Sequence, residues 1–221
     1  MSNVAGKAYA MNVLTPVQPW KTWIQVLIFM VARATPSQLS GLLGLKLIHF
    51  ARWVMIRRDQ WPDLGQGKQQ LANDYMLFLS NFNGTWDQYI DAFADGIPGG
   101  LDLFWYTSSG YPHSIPIARF KAYIGHNQIA TNYYYNATPG SGQRDIKAAL
   151  RVRREMLALE KLHAAGDAAG FKTGYRAAFV RIQNSFAAPG FAPVASRAAQ
   201  DADRGRRRFI DALNARRVPH A

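Results

Sequence analysis

Apolar and polar positions along this chain fall into segments of two periods, and the clearest change of period lies between Tyr75 and Ile97, in YMLFLSNFNGTWDQYIDAFADGI. Tyr75 to Leu79 is an apolar run of strand length, and Asn83-Gly84 supplies the left-handed backbone that a sharp reversal needs. A helix is predicted directly afterwards, because Thr85 as N-cap and Gln88 three residues on form a capping box. Trp86, Tyr89, Ile90, Phe93 and Ile97 share one face of that helix, while Asp87, Asp91 and Asp95 recur along another.

Before this unit, Met1 to Thr15 lacks clear periodicity and is expected to lie loosely on the surface. Pro19 can open a helix, and from Trp20 to Ala32 the apolar residues are interrupted only by Lys21, Thr22 and Gln25. Pro36 then breaks the run. Leu45 to Ile56, rich in β-branched and aromatic residues, reads as a first strand; its imperfect alternation implies a bulge or burial on both faces. A polar connection from Arg57 to Asn73 makes this strand and the next an antiparallel pair.

After the central helix, Pro98-Gly99-Gly100 reads as a stop and Leu101 to Tyr106 as a third strand. Ile117 to Gln128 follows as a short helix with Phe120, Tyr123 and Ile124 inward, then Ile129 to Asn136 as a fourth strand. A long helix runs from the turn at Pro139-Gly140-Ser141-Gly142 to about Ala165, its apolar face carrying Ile146, Ala149, Leu150, Met156 and Leu157. The order describes an α+β fold: a ferredoxin-like antiparallel or mixed sheet with helices on one face. We divide the chain into an N-terminal arm with an amphipathic helical segment (1–44), an α+β core (45–165) and a basic Ala/Arg-rich C-terminal arm (166–221). Sheets of this type often pair into dimeric barrels, so a homodimer is expected by analogy.

Composition sharpens the picture through where the charge lies. Residues 1–70 carry 8 Lys/Arg against 2 acids, 71–140 carry 2 against 5, and 141–221 carry 16 against 7, within a net charge of +12. An acidic centre with basic flanks points to an anionic partner, a phospholipid surface or nucleic acid. The absence of cysteine excludes disulfides, thiolate metal sites and a Cys nucleophile, and permits the cytoplasm.

The segment Pro19 to Arg33 has three readings. Two Trp at its start, Lys21 and Arg33 at its ends and no acid resemble an in-plane interfacial anchor, with Trp20, Lys21, Trp23, Phe29 and Arg33 as the membrane residues. The dense run is shorter than the roughly 20 apolar residues a spanning helix needs. A core or dimer-interface helix is the second reading. A secretory signal ending at Ala32-Arg33-Ala34 is the third, opposed by the long stretch before it and its two prolines.

Chemistry is thinly signalled. Asp87, Asp91 and Asp95 line up as a carboxylate ridge able to hold a hard cation, but a helix needs a polar side and the solvated face explains them more simply, so no metal site is assigned. The five histidines include no metal-spaced pair. His49 and His126 are the two that can face a common pocket lined by Trp53, Trp105 and Tyr134, as an axial haem ligand or a general base; a hydrogen-bonded core histidine is the plainer account. No nucleophile elbow, P-loop, dinucleotide fingerprint or zinc spacing is present. The arginines at 204 to 208 can grip phosphates, but no aromatic platform lies beside them for bases.

The stretches IHFARWVMIRRDQWP, YMLFLSNFNGTWDQYIDAFADGIPGGLDLFWYTSSGYP and FKAYIGHNQIATNYYYNATPG, within Pro16 to Leu162, resemble a bacterial family without an assigned function. That family looks distantly similar to ferredoxin-like α+β barrel proteins, among them the dye-decolourising haem peroxidases. The resemblance implies the barrel-type fold and haem as a cofactor to consider. The peroxidase motif Gly-x-x-Asp-Gly is not met, since Asp95-Gly96 follows Ala92-Phe93-Ala94, and no catalytic residue is carried over.

The sequence thus favours a cytoplasmic, peripheral membrane protein that binds an amphipathic or lipid-derived ligand at an anionic surface. The alternatives are a haem-binding or oxidoreductase-type enzyme using His49 or His126, and a nucleic-acid-binding module.

Overall fold

The computed structural model describes residues 3–35, 47–69 and 71–186, together with positions 201, 202, 205, 208, 209 and 212. Among these residues five strands form one antiparallel open sheet: β1 (Val4–Ala5), β2 (Ala8–Val17), β3 (Ile48–Ile56), β4 (Asp74–Asn83) and β5 (Gln128–Ile129). The helices are α1 (Thr22–Ala34), α2 (Trp86–Gly96), α3 (Pro98–Trp105), α4 (Ile117–His126), α5 (Gln143–Ala164) and α6 (Ala168–Ile182), with a 3-10 turn over Pro19–Lys21 leading into α1. The fold is α+β.

The sheet order is β1-β2-β4-β3, with β5 sharing with β1 the far edge of β2. Because β2 and β3 both run antiparallel to β4, they are parallel to each other with β4 inserted between them. With α1 as the crossover, this is a split β-α-β unit. The longest pairing joins β2 to β4 from Ala8↔Asn83 to Val17↔Asp74. The expectation that Met1 to Thr15 lies loosely on the surface is therefore corrected. Odd positions of β2 are Tyr9, Met11, Val13, Thr15 and Val17, all buried, so its alternation is real. Small and polar residues on the other face, Ala8, Ala10 and Asn12, hide that period from a reading of hydrophobicity. The boundary expected at residue 44 is likewise not a boundary for the sheet, since β2 pairs with β4 across it.

Met76, Phe78 and Phe82 of β4 face the same side as the odd positions of β2 and meet α2, α3 and α4 in one core. Thr85 caps α2 as expected: its hydroxyl accepts from the Gln88 amide at 3.2 Å, and the Gln88 side chain accepts from the Thr85 amide at 3.2 Å. Gly84 turns the chain at φ 100°. Replacing Thr85 by Ala removes the first of these bonds and should cost about 1 kcal/mol, read as a lower urea midpoint at unchanged m.

Two expected strands are corrected. Leu101 to Tyr106 belongs to helix α3, whose buried Leu101, Phe104 and Trp105 recur at helical spacing. The central helix ends at Gly96, before the expected stop, and Pro98 sits at the first position of a second helix, where its missing N–H is harmless, so the Pro-Gly-Gly sequence also starts a helix. Of Ile129 to Asn136 only Ile129 enters the sheet, beside Gln128, because β1 already occupies Ala8 and Tyr9 on that edge of β2. Beyond it the chain is tied down by side chains: Asn12 donates to Thr131 at 2.9 Å and Asn136 to the Ala5 carbonyl at 3.1 Å.

α5 runs as expected, but its buried residues are Glu155 and Leu159, while Leu150, Met156 and Leu157 are exposed. α6 packs back on it through Ala178 and Ile182, and the Arg181 guanidinium pairs with Glu155 at 2.7 Å. A Cβ at Gly174 would meet the Leu162 side chain at 2.5 Å, so the missing side chain lets the two helices close. The expected C-terminal arm therefore begins with a helix docked on α5. The Arg204 to Arg208 cluster lies largely outside the described residues; Arg208 itself is helical and exposed.

Candidate functional site

α1 buries its uncharged polar side chains and exposes most of its large apolar ones. Its two uncharged polar side chains, Thr22 and Gln25, are 7% and 0% exposed, whereas Trp23 and Met30 are 65% and 63% exposed. The inward residues recur as Thr22, Gln25, Phe29 and Ala32, a helical stripe, and each has a reason to point in. The Thr22 hydroxyl donates to the Asp74 carboxylate. Gln25 donates to the Phe104 carbonyl at 3.0 Å and accepts from the Thr107 hydroxyl, which satisfies both ends of a buried amide. Phe29 stacks on Phe104 with ring centroids 5.9 Å apart.

With those positions fixed, Trp23, Val26, Leu27, Met30 and Val31 necessarily form the outward stripe, and all are exposed. Trp20 continues it through the 3-10 turn, with the Lys21 ammonium 5.1 Å from its ring centroid. Arg33 is exposed in the last turn. Of the five residues expected to meet a membrane, Trp20, Lys21, Trp23 and Arg33 lie on or beside this stripe; Phe29 faces the core.

Between α1 and the end of β3 lies an open groove of about 620 Å³. Trp23, Val26, Leu27 and Met30 wall it on one side and Met55 on the other, with Arg57, Arg58, Asp59 and Asp74 supplying its polar part. Asp74 is 4% exposed and accepts from the Thr22 hydroxyl and, at 2.8 Å, from the Arg58 amide. Asp59 is engaged by Arg57 through both carboxylate oxygens, at 3.2 and 3.3 Å. The Arg58 guanidinium has no ion pair among the described residues. The connection that follows β3 presents Trp61 and Leu64, the latter 85% exposed. Its tip is ordered by Asp63, which accepts from the amides of Gly65 and Gly67.

The groove was not anticipated from the sequence. Its one legible signal is the Arg57-Arg58 doublet directly after an apolar strand; the approach of α1 to that strand end is a tertiary fact.

The remaining sequence candidates are scattered. His49 is the extra residue of a bulge, since Ile48 and Phe50 face consecutive residues of β4, Phe82 and Asn81. Burial holds its pKa below the ordinary histidine value, with Asn83 opposing, and its buried Nε2 has no hydrogen-bond partner among the described residues. His126 is exposed at the end of α4. β3 and β5 lie on opposite edges of the sheet with β4 and β2 between them, about 14 Å apart at the usual strand spacing, so the two histidines do not share a pocket.

Trp53 and Trp105 do come together, with centroids 6.0 Å apart, inside a core cluster with Phe78 and Phe104. Both indole N–H groups are buried and have no hydrogen-bond partner among the described residues. Tyr134 is on the other side of the sheet: it lies against Asn81, which alternates away from Phe78 and Phe82, and burial raises its pKa with the Asn81 side chain opposing. The void that Trp105 lines beneath the sheet measures about 10 Å³, scarcely space for a water and far too little for haem.

Two of the three carboxylates of the ridge are bridged from outside, because Lys121 of α4 reaches Asp87 at 3.1 Å and Asp91 at 2.7 Å. Among the described residues no cluster of three metal-ligating side chains occurs, and no helix is long and apolar enough to cross a membrane. Comparison with family models, curated proteins and solved structures finds no match to this chain.

Proposed function

We propose that this protein associates peripherally with an anionic membrane surface through the outer face of α1, on the cytoplasmic side, and handles an amphipathic or lipid-derived ligand there. The observation that carries the reading is the reversed polarity of α1, with Thr22 and Gln25 inside and Trp20, Trp23, Leu27, Met30 and Val31 outside. A half-exposed side chain of this size returns about 1 kcal/mol when it is taken out of water, so the stripe as a whole offers about 5 kcal/mol. Lys21, Arg33 and Arg58 add about 1 kcal/mol each beside anionic lipid. Indole rings at headgroup depth and basic side chains near phosphate are the usual chemistry of an in-plane anchor.

Sedimentation with vesicles tests this. The full-length chain should pellet with vesicles of phosphatidylglycerol and phosphatidylcholine, less with phosphatidylcholine alone, and partly release in molar salt, where the Debye length is about 3 Å. Protein remaining in the supernatant with anionic vesicles at low salt refutes the reading.

A second reading rests on β3, whose outer edge is unpaired among the described residues. Antiparallel pairing of two β3 edges with α1 packed beside them would make an isologous homodimer and cover the same stripe. A constant monomer mass in sedimentation equilibrium across the micromolar range would remove it. The ferredoxin-like assignment fits either reading. Haem handling by His49 or His126 draws no further support from the positions of these residues, and the C-terminal arginines of the nucleic-acid reading lie largely outside the described residues.

A further inference from the structure

Resting on the membrane reading above, we infer that the groove between α1 and the end of β3 is a binding site for one single-chain anionic amphiphile, its alkyl chain along α1 and its phosphate or carboxylate head on Arg58. The apolar wall from Trp23 to Met30 covers eight residues of helix, a span of about 11 Å at the α-helical rise, and Met55 closes it from the sheet side. Thioether side chains on both walls adapt to a flexible chain. The volume of about 620 Å³ lies within the range of small-molecule sites.

The sign of the head group follows from which charges are already satisfied. Asp74 is buried and holds the Thr22 hydroxyl and the Arg58 amide. Asp59 is held by both nitrogens of the Arg57 fork. Arg58 lines the same groove and its guanidinium has no ion pair among the described residues, so its planar donors are open to a phosphate or carboxylate. Because Asp74 is bonded through the backbone amide of Arg58, the Arg58 side chain can be replaced without disturbing that bond.

Titration of the whole protein with monomeric dodecyl phosphate, dodecanol and dodecyltrimethylammonium, followed by calorimetry, tests the assignment. Saturable binding of dodecyl phosphate with one site per chain is expected, at least tenfold tighter than dodecanol, with the ammonium weakest. Arg58→Gln should erase the preference for phosphate over dodecanol, and Val26→Trp, which fills the groove, should remove binding of both. Equal affinity for dodecyl phosphate and dodecanol, unchanged by Arg58→Gln, would overturn the anion assignment. Absence of saturable binding by a protein that still sediments with anionic vesicles would overturn the groove and leave the surface reading standing. Loss of vesicle sedimentation with dodecyl phosphate still bound would do the reverse.

Discussion

Trp105→Ala is expected to destabilise the protein by about 3–5 kcal/mol, the largest loss anticipated for any single substitution in this core. The indole is 2% exposed, meets Phe78 edge-on at 5.0 Å and Trp53 at 6.0 Å, and already borders the small void under the sheet. Truncation would enlarge that void instead of letting the core collapse, because β4, α2 and α4 all form its walls. Against a total stability of about 5–15 kcal/mol, such a loss leaves a chain at the edge of folding. Trp105→Phe separates packing from polarity. It removes a buried indole N–H that has no partner among the described residues, a cost of about 1–3 kcal/mol, so its net effect should be far smaller than that of Ala. Urea unfolding of the two variants checks both numbers. A Phe variant as damaged as the Ala variant would show that the indole N–H has a partner after all.

The second large effect is on binding, with stability spared. Leu27→Asp combined with Met30→Asp places two carboxylates in the outer stripe of α1, where both side chains are at least half exposed. Two lost apolar contacts and two repulsive charges together remove about 4 kcal/mol of membrane affinity, roughly a thousandfold. Exposed positions away from caps and buried bonds change folding stability by about 0.5 kcal/mol, so the urea midpoint should scarcely move. Unchanged vesicle sedimentation by this double variant would remove α1 as the contact surface. A collapse in stability would instead mean that the stripe is buried, in a dimer or otherwise.

Legibility from sequence followed how local each feature is. The Thr85–Gln88 capping box and the buried Trp86, Tyr89, Ile90 and Phe93 depend on residues within a few positions of one another, and all were readable. The bulge at His49 was foreshadowed by broken alternation in β3. β2 was not readable, because its identity as a central strand comes from pairing with β4 some seventy residues away, and Ala8, Ala10 and Asn12 supply no apolar signal of their own. α3 was misread because aromatic richness favours strands, while Leu101, Phe104 and Trp105 carry a helical spacing too short to stand out. At the candidate site, Trp20, Lys21, Trp23 and Arg33 followed from local composition. The inward turn of Thr22 and Gln25 required Asp74, Phe104 and Thr107 to be in place, which no local pattern encodes. The pocket expected around His49, His126, Trp53, Trp105 and Tyr134 failed to assemble for the same reason: sheet order and face decide which distant side chains meet.

The chain contains no cysteine, so a single spin label can be placed without background. The most direct test is the accessibility of a nitroxide at Leu27→Cys to oxygen and to a water-soluble nickel complex, with Phe50→Cys on the opposite face of the sheet as reference. On adding anionic vesicles, the label at position 27 should become more accessible to oxygen and less to nickel, while the label at position 50 stays unchanged. A label at position 27 that keeps its aqueous accessibility in the presence of vesicles would contradict the account.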